Sequence, residues 1–324
     1  MGKLVGEPIL EMGNLTRYFD IGRKQFVHAV DGINLTVSEK EILGLVGESG
    51  SGKSTLGKVV LGLEPKTSGW VKYRGELLPQ KYKARDFQKW SAKMQMIFQD
   101  PYSSLNPRMT VGEIVGEGLR LRSGTTKSQI KDKVADWLLK VGLQTDHMSR
   151  YPHEFSGGQR QRIGIARALI LEPEFVVCDE PISALDVSVQ AQVINLMGDL
   201  KEKLGLTLIF IAHDLSMVRY VSDRMAVMYL GSIVEVGKAD EVYFDPKHPY
   251  TEILVGSNPE PDPNLERQRA STTIKGEIPS PVNVPAGCRF ANRCPKVEEN
   301  CRRVTPKLIP LKDSDRQVAC HLLN

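Results

Sequence analysis

The loop at residues 47–55 restricts the possible folds of this 324-residue chain more than any other segment. Its sequence, Gly-Glu-Ser-Gly-Ser-Gly-Lys-Ser-Thr, fits the phosphate-loop pattern G-x-x-x-x-G-K-[ST]. The apolar run Ile42–Val46 precedes the loop and predicts a short buried strand, and a helix is predicted to begin near Lys53. A strand, a glycine-rich loop and a helix in this order are typical of a phosphate-binding α/β domain.

The residue types in this loop suit the binding of a nucleotide. Gly47, Gly50 and Gly52 let the backbone turn its N–H groups towards phosphate oxygens, and the helix N-terminus adds partial positive charge. Lys53 supplies a mobile cation for the β- and γ-phosphates, and the Ser54 hydroxyl is a ligand for Mg²⁺. We therefore predict that ATP and Mg²⁺ bind at Gly47, Glu48, Ser49, Gly50, Ser51, Gly52, Lys53, Ser54 and Thr55.

Composition and charge exclude several classes of protein. The chain is 41% hydrophobic and 25% charged, which is ordinary for a globular protein, and its net charge of +4 is too dispersed to favour nucleic-acid binding. No run of about 18 apolar residues predicts a membrane span, and the first residues lack the apolar core of a secretion signal. We expect a cytosolic protein that reaches a membrane only through a partner.

Patterning along the chain predicts an α/β fold. Apolar runs beginning at Phe175 and Leu206 predict two strands, and a helix from about Ser188 to Leu204 joins them as a βαβ unit. Residues 100–155 predict helices, and residues 256–286 have the proline-rich composition of a linker. We predict a RecA-like P-loop NTPase core with an antiparallel β subdomain, a helical insertion and a small cysteine-rich C-terminal extension. The predicted boundaries are 1–98 with 163–257 for the ATP-binding core, 99–162 for the helical subdomain, and 258–324 for the linker and cysteine cluster.

Two carboxylates follow the predicted strand at Phe175. Ligands bind at the carboxyl ends of strands in doubly wound sheets, so Asp179 and Glu180 are candidates for the catalytic site. Asp179 is suited to hold Mg²⁺ through water, and Glu180 to orient or deprotonate the attacking water. Cys178 precedes them and is interpreted as a small buried hydrophobic residue.

The segment Phe155-Ser-Gly-Gly-Gln-Arg-Gln-Arg resembles the signature motif of ABC ATPases. Ser156 is predicted to cap the helix that follows, and Gly157 and Gly158 permit close backbone approach. The resemblance implies that Ser156, Gly157, Gly158 and Gln159 bind the γ-phosphate of ATP held by an opposite subunit. Each nucleotide would then need two subunits, so hydrolysis would require a dimer that closes on ATP.

The remaining marks of that family occur in the expected order. Gln99 matches the glutamine loop, which implies contact with Mg²⁺, the attacking water and a membrane subunit. Ser183-Ala-Leu-Asp186 matches the loop that crosses the dimer interface, and His213 matches the switch histidine at the γ-phosphate. Phe19 falls where the family places a ring stacked on adenine, with Tyr18 as the alternative.

A narrower resemblance is to the ATPases of dipeptide and oligopeptide importers. It rests on Gln99-Asp-Pro-Tyr-Ser-Ser-Leu-Asn-Pro-Arg, Arg150-Tyr-Pro-His-Glu-Phe-Ser-Gly-Gly, Ala184-Leu-Asp-Val-Ser-Val-Gln-Ala-Gln and His248-Pro-Tyr-Thr-Glu-Ile-Leu. The run that follows the signature is similar to the F type of the two paralogues. The resemblance implies a D-type ATPase partner or a self-dimer, two membrane permeases, an external peptide-binding protein, and a location at the cytoplasmic face of the membrane.

Other functions remain open at this point. Related importers carry nickel or sugars, and a soluble ABC ATPase acting on ribosomes or DNA is a further alternative. The single cassette and the lack of sustained heptads disfavour that class. A metal or nucleic-acid binding module is disfavoured by the few basic and aromatic residues of the tail.

Four of the five cysteines lie near the C-terminus in the pattern Cys-x5-Cys-x6-Cys-x18-Cys. Four thiolates can hold zinc or a [4Fe–4S] cluster, and the absence of tight C-x₂-C pairs favours iron–sulfur. The tail of the importer family also resembles an iron–sulfur site. Zinc, disulfides and free thiols remain alternatives for the four residues, which are Cys288, Cys294, Cys301 and Cys320.

Overall fold

The computed structural model describes residues 6–121, 124–183, 185–257, 279–282, 284, 286–312 and 314–323. The chain divides into two compact units. Unit 1 comprises residues 1–82 and 210–324, and unit 2 comprises residues 83–209. Ala184 and residues 258–278, 283 and 285 of the predicted linker at 256–286 lie outside the described residues.

The described residues form strands and helices that are interspersed along the chain, which begins with three strands. In chain order, the strands are β1 (Pro8–Asp20), β2 (Phe26–Ser38), β3 (Ile42–Val46), β4 (Ser68–Tyr73), β5 (Glu76–Leu77), β6 (Met94–Ile97), β7 (Phe175–Asp179), β8 (Thr207–Ile211), β9 (Arg224–Tyr229), β10 (Ser232–Lys238), β11 (Ile309–Pro310) and β12 (Gln317–Val318). The helices are α1 (Lys53–Val60), α2 (Ala84–Trp90), α3 (Pro101–Ser104), α4 (Val111–Arg120), α5 (Lys127–Lys140), α6 (Gly157–Leu169), α7 (Val187–Leu204), α8 (Leu215–Val221), α9 (Ala239–Phe244), α10 (Pro249–Gly256) and α11 (Glu299–Arg303).

Unit 1 contains an antiparallel sheet with the strand order β2-β1-β4-β5, which is the predicted antiparallel β subdomain. Its other strands lie in the order β11-β12-β10-β9-β3, where β3 and β9 are parallel. All five residues of β3 are buried, as the apolar run predicts. The amide of Ala212, just after β8, donates to the Leu45 carbonyl of β3 at 3.4 Å. The segment that leads to His213 therefore adjoins the strand that leads into the phosphate loop.

Unit 2 combines parallel strands with helices. The strand order is β8-β7-β6, and β6 and β7 are parallel, with Met94 opposite Phe175 and Ile97 opposite Cys178. Helix α5 is amphipathic and buries Val134, Trp137 and Leu138. The predicted strands near 175 and 206, and the helix between them, are confirmed. The two compact units are defined by packing and do not test the predicted boundaries of the functional subdomains, which remain predictions.

The prediction of a separate cysteine-rich C-terminal extension is not supported. Strand β12 pairs with β10, with Val318 opposite Glu235, so the described tail continues a sheet of unit 1. The Arg316 guanidinium donates to the Glu235 carboxylate at 2.9 Å from its Nε, and Glu235 is fully buried. A buried carboxylate requires such a partner, and the β10 edge is paired rather than open. Arg316 supplies the partner of the buried carboxylate and β12 pairs with the edge of β10, so the tail packs as part of unit 1.

None of the helices in the described part of the chain has the length and apolar character that crossing a lipid bilayer requires.

Candidate nucleotide site

The phosphate loop of unit 1 has a backbone that requires glycine at two positions. Gly47 has a φ of 150°, and a Cβ there would lie 2.1 Å from the Met228 carbonyl oxygen. Gly52 has a φ of 103°, and a Cβ there would lie 1.9 Å from the Ala29 carbonyl oxygen. Both distances are far inside van der Waals contact, so a larger residue would displace the loop. The loop conformation is therefore set by β2 and β9 behind it as well as by its own sequence.

Lys53 is buried at the start of α1 and is held by the loop itself. Its Nζ donates to the carbonyl oxygens of Gly47 at 2.8 Å and Glu48 at 3.0 Å, and to the Ser51 hydroxyl at 3.4 Å. The side chain is only 4% exposed. These oxygen atoms hold the ammonium group inside the loop. The oxygens of a bound phosphate can accept the same hydrogen bonds in place of the carbonyls.

The aromatic candidates at the end of β1 differ in their surroundings. The Tyr18 hydroxyl donates to Asp31 at 2.6 Å, and its ring lies 4.1 Å from that of His28. Burial and the Asp31 hydrogen bond raise the pKa of Tyr18 to about 12. The half-buried Phe19 ring is covered on one face by the Arg17 guanidinium at 4.2 Å. Tyr18 is thus fixed within a polar network, and the assignment of Phe19 as the adenine-stacking ring stays a prediction.

In unit 2 the fold brings Gln99 and Glu180 together. The Gln99 amide Nε2 donates to the Glu180 carboxylate at 2.7 Å, across 81 positions of sequence. Glu180 follows β7 with a φ of 44°, a left-handed conformation that costs free energy in a residue with a side chain. The neighbouring Asp179 is the last residue of β7 and is only 4% exposed.

The signature segment begins α6 through a reciprocal cap. The Ser156 hydroxyl accepts from the Gln159 amide at 3.3 Å, and the Gln159 side-chain oxygen accepts from the Ser156 amide at 3.0 Å. This confirms the predicted N-cap. A Cβ at Gly158 would lie 2.4 Å from Val189 of α7, so that glycine is needed for packing. Gly157 has no neighbour so close, since its nearest contact would be Leu185 at 3.5 Å.

Asp186 and His213 have distinct local roles. Asp186 caps α7, because its carboxylate accepts from the Val189 amide at 2.9 Å. That hydrogen bond lowers the pKa of Asp186, which stays ionised. His213 lies exposed at the end of β8, beside the Asp214 cap of α8. The roles of these two residues at the dimer interface and the γ-phosphate stay predictions.

Cys178 is fully buried in β7, as expected of a small hydrophobic residue. Burial raises the pKa of its thiol to about 12, so the group stays protonated and unreactive.

The four tail cysteines line one small cavity in unit 1. All four are free thiols, and the cavity of about 10 Å³ also borders Phe290 and His321. Burial raises the pKa of Cys288 to about 11, and it also raises the pKa values of Cys294 and Cys320. In the absence of a bound metal, burial therefore favours the protonated thiols.

The prediction of a metal centre at these cysteines is not supported. Among the described residues, no group of three or more His, Cys, Asp or Glu side chains is arranged to hold a metal ion. The physical reason is size, since a cavity of about 10 Å³ has room for about one water molecule and not for a four-iron cluster. The thiols would have to separate before a cluster fits.

The sequence interpretation missed the residues that contact Glu48 in the loop. Arg293, located between Cys288 and Cys294, forms a two-pronged ion pair with Glu48, and the Tyr250 hydroxyl accepts from the Glu48 amide at 2.8 Å. Two arginines inside a cysteine cluster were the available signal. The carboxylate that Arg293 contacts lies 245 positions away, and this pairing was not readable from the sequence.

The fold and these sites define an ATPase of the ABC transporter class. Residues 30–183 match the family described as ABC transporter, and residues 234–301 match the C-terminal region of oligopeptide/dipeptide transporters. YkfD of Bacillus subtilis is 54% identical over 97% of this chain and 95% of its own length. The chain belongs to the ABC transporter family, as the resemblance implied.

Two further comparisons agree with that assignment. The oligopeptide transport ATP-binding protein OppF of Salmonella typhimurium is 51% identical over 93% of this chain and 92% of its own length. The dimeric ATP-binding cassette MJ0796, solved in a post-hydrolysis state with ADP and phosphate, superposes with a TM-score of 0.65. That structure is 27% identical and covers 71% of this chain and 98% of its own.

Proposed function

We propose that this chain is the F-type ATPase of an importer for dipeptides or oligopeptides. The observation that carries the proposal is the match of residues 234–301 to the C-terminal region of such transporters, downstream of a phosphate loop with Lys53 intact. The name of the Salmonella relative supports the same substrate class. Nickel and sugars are the alternative cargoes.

In the proposed mechanism, ATP binds to the loop at residues 47–55 and displaces loop acceptors from Lys53. Ser54, Gln99 and Asp179 offer oxygen ligands of the kind Mg²⁺ prefers, and the ion arrives with the nucleotide. Glu180 orients or deprotonates the attacking water, and the Gln99 amide keeps its carboxylate in position. His213 stabilises the γ-phosphate.

The second half of each nucleotide site is proposed to come from another subunit. Ser156, Gly157, Gly158 and Gln159 would bind the γ-phosphate held by that subunit, and Asp186 would lie at the interface. Gly157 supports this role, because a ligand can approach its backbone, whereas the backbone of Gly158 is packed against Val189. ATP favours the closed dimer and hydrolysis releases it, which is how differential binding drives a two-state change.

The proposed partners follow from this arrangement. The second ATPase is a D-type paralogue or a second copy of this chain, and two permeases in the membrane receive the movement. An external peptide-binding protein delivers the cargo, no nucleic acid takes part, and the chain works at the cytoplasmic face of the membrane.

Transport reconstituted in vesicles tests this function. We expect the chain, with its genetically linked ATPase and permeases, to take up labelled peptide only with ATP, and peptide to stimulate hydrolysis. The isolated chain should show ATPase activity that rises more steeply than linearly with protein concentration, because two subunits complete each site. Uptake of nickel or a sugar in place of peptide would establish an alternative cargo. Full activity of a monomer without permeases would contradict the mechanism.

We propose further that the tail cysteines bind a [4Fe–4S] cluster, with zinc as the alternative metal, and that the four thiols move apart to admit it. Four thiols around one cavity favour the proposal, because a bound metal is stabilised by several thiolates from one site. The cluster would serve as a structural link and would supply no step of hydrolysis.

Purification without air tests the cluster. We expect brown protein with broad absorbance near ~400 nm, about four irons and four sulfides per chain, and loss of the colour in Cys294→Ser. The control Cys178→Ser changes a buried thiol outside the tail and should keep the colour. One zinc per chain would replace the cluster assignment, and metal-free protein from anaerobic cells would overturn both.

A further inference from the structure

The tail of unit 1 contacts the phosphate loop directly. Arg293 Nη1 and Nη2 donate to the two carboxylate oxygens of Glu48 at 2.8 and 2.9 Å. Nη1 also donates to the Tyr229 hydroxyl at 3.2 Å. A two-pronged guanidinium–carboxylate pair fixes both distance and orientation, which a single hydrogen bond does not.

This ion pair is shielded from water. The side chain of Arg293 is 4% exposed and that of Glu48 is 16% exposed. The hydrogen bond to Glu48, which acts against burial, raises the pKa of Arg293. An exposed pair contributes little, but removal of one partner from a buried pair leaves an uncompensated charge. The contact therefore constrains the loop.

Glu48 transmits the constraint to the groups that bind phosphate. Its carbonyl oxygen accepts from Lys53 Nζ at 3.0 Å, and its amide donates to the Tyr250 hydroxyl at 2.8 Å. Tyr250 packs at 4.6 Å from the Tyr229 ring, and both contact Phe290 of the tail. The side chain, the amide and the carbonyl of Glu48 thus each have a hydrogen-bond partner. The side chain is held by Arg293 of the tail, and the amide is held by Tyr250, which packs on the tail.

A second tail arginine strengthens the attachment. Arg289 donates to Asp31 at 2.5 Å and to the Leu230 carbonyl. Asp31 also accepts from Tyr18 at 2.6 Å and lies 3.0 Å from His28. The segment 286–294 is therefore attached on both sides of Phe290, which keeps Arg293 in register with the loop.

We propose that Arg293 is a positioning residue for the phosphate loop, so that the segment 286–294 is an integral part of the nucleotide site. It acts through Glu48 and does not touch the nucleotide. The inference rests on the proposed assignment of residues 47–55 as the nucleotide site. An intact tail then increases affinity for ATP, because the loop is held before phosphate arrives.

ATP affinity of full-length variants tests the proposal. With Mg²⁺ and calorimetric or fluorescent detection, Arg293→Gln should raise the Kd for ATP about tenfold. Arg293→Lys keeps the positive charge but cannot donate two parallel hydrogen bonds. Its Kd for ATP should lie between that of Arg293→Gln and that of the native protein. The matched control is Arg303→Gln, because Arg303 lies in the same tail, is 73% exposed and pairs with the similarly exposed Glu299. Its Kd should stay unchanged.

A double-mutant cycle identifies the route of the effect. Glu48→Gln should also raise the Kd about tenfold, and the double variant Glu48→Gln/Arg293→Gln no further, since both break one contact. Additive losses would show that Arg293 does not act through Glu48 and would overturn the proposal. A lower Tm with unchanged Kd would also overturn it, because that is the signature of a purely structural residue. If Arg293→Gln does not fold, Arg293→Lys and Glu48→Gln decide the question by the same criteria.

Lys53→Ala separates this inference from the assignment on which it rests. Unchanged ATP affinity in Lys53→Ala would mean that the nucleotide binds elsewhere. Lost affinity in Lys53→Ala, with native affinity in Arg293→Gln, would refute the positioning role alone.

Discussion

Replacing Glu180 by glutamine should leave ATP binding intact and slow hydrolysis by about 100- to 1000-fold, the usual contribution of a general base. The substitution preserves size and removes only the negative charge and the proton-accepting oxygen. Its amide oxygen still accepts from Gln99, whose Nε2 lies 2.7 Å from the carboxylate in the native protein. The left-handed turn at φ 44° is kept as well, so the loss should be confined to chemistry.

Single-turnover hydrolysis and ATP-dependent dimerisation measure this effect. The variant should accumulate as a dimer with ATP bound, since release follows hydrolysis. Glu202→Gln is a matched control, because Glu202 is 76% exposed in the same unit and should leave the rate unchanged. If Glu180→Gln hydrolyses ATP at the native rate, another group activates the water and Glu180 has only a structural role.

The local features of the site were readable from the sequence. The phosphate loop, its flanking strand and the start of α1 at Lys53 follow from glycine spacing and a short apolar run. The N-cap at Ser156 follows from a serine followed three residues later by glutamine. Such features depend on residues that are close together in the sequence, so the local sequence is enough to predict them.

Contacts between distant segments were not readable in the same way. Gln99 and Glu180 were both selected, but their hydrogen bond depends on the parallel register of β6 and β7. The packing of Gly158 against Val189 was likewise not predicted, because a glycine in the signature motif was interpreted as a ligand-binding residue.

The tail shows the same limit with a larger consequence. Its cysteines suggested an independent stapled extension, and its arginines carried no recognisable pattern. The structure instead joins β12 to β10 and Arg293 to Glu48. Sequence identifies which residues can form an ion pair, whereas only the fold determines which carboxylate lies within reach.

Replacing Lys53 by alanine should weaken ATP binding by about 100-fold, the equivalent of one to two charged hydrogen bonds. The loss has two sources. The ammonium no longer reaches the phosphates, and the free loop is less well ordered for ATP without the donor that lies 2.8 and 3.0 Å from the Gly47 and Glu48 carbonyl oxygens. Equilibrium binding of ATP with Mg²⁺ measures the change.

Lys58→Ala provides the comparison for this variant. Lys58 lies in the last turn of the same helix, so its removal tests a general loss of positive charge on α1. We expect native affinity there, because the effect of Lys53 depends on its place inside the loop and not on net charge. Equal losses in both variants would indicate that α1 attracts nucleotide only by its overall charge. Native affinity in Lys53→Ala would place the triphosphate outside residues 47–55, and the positioning role of Arg293 would then have no ligand to act on.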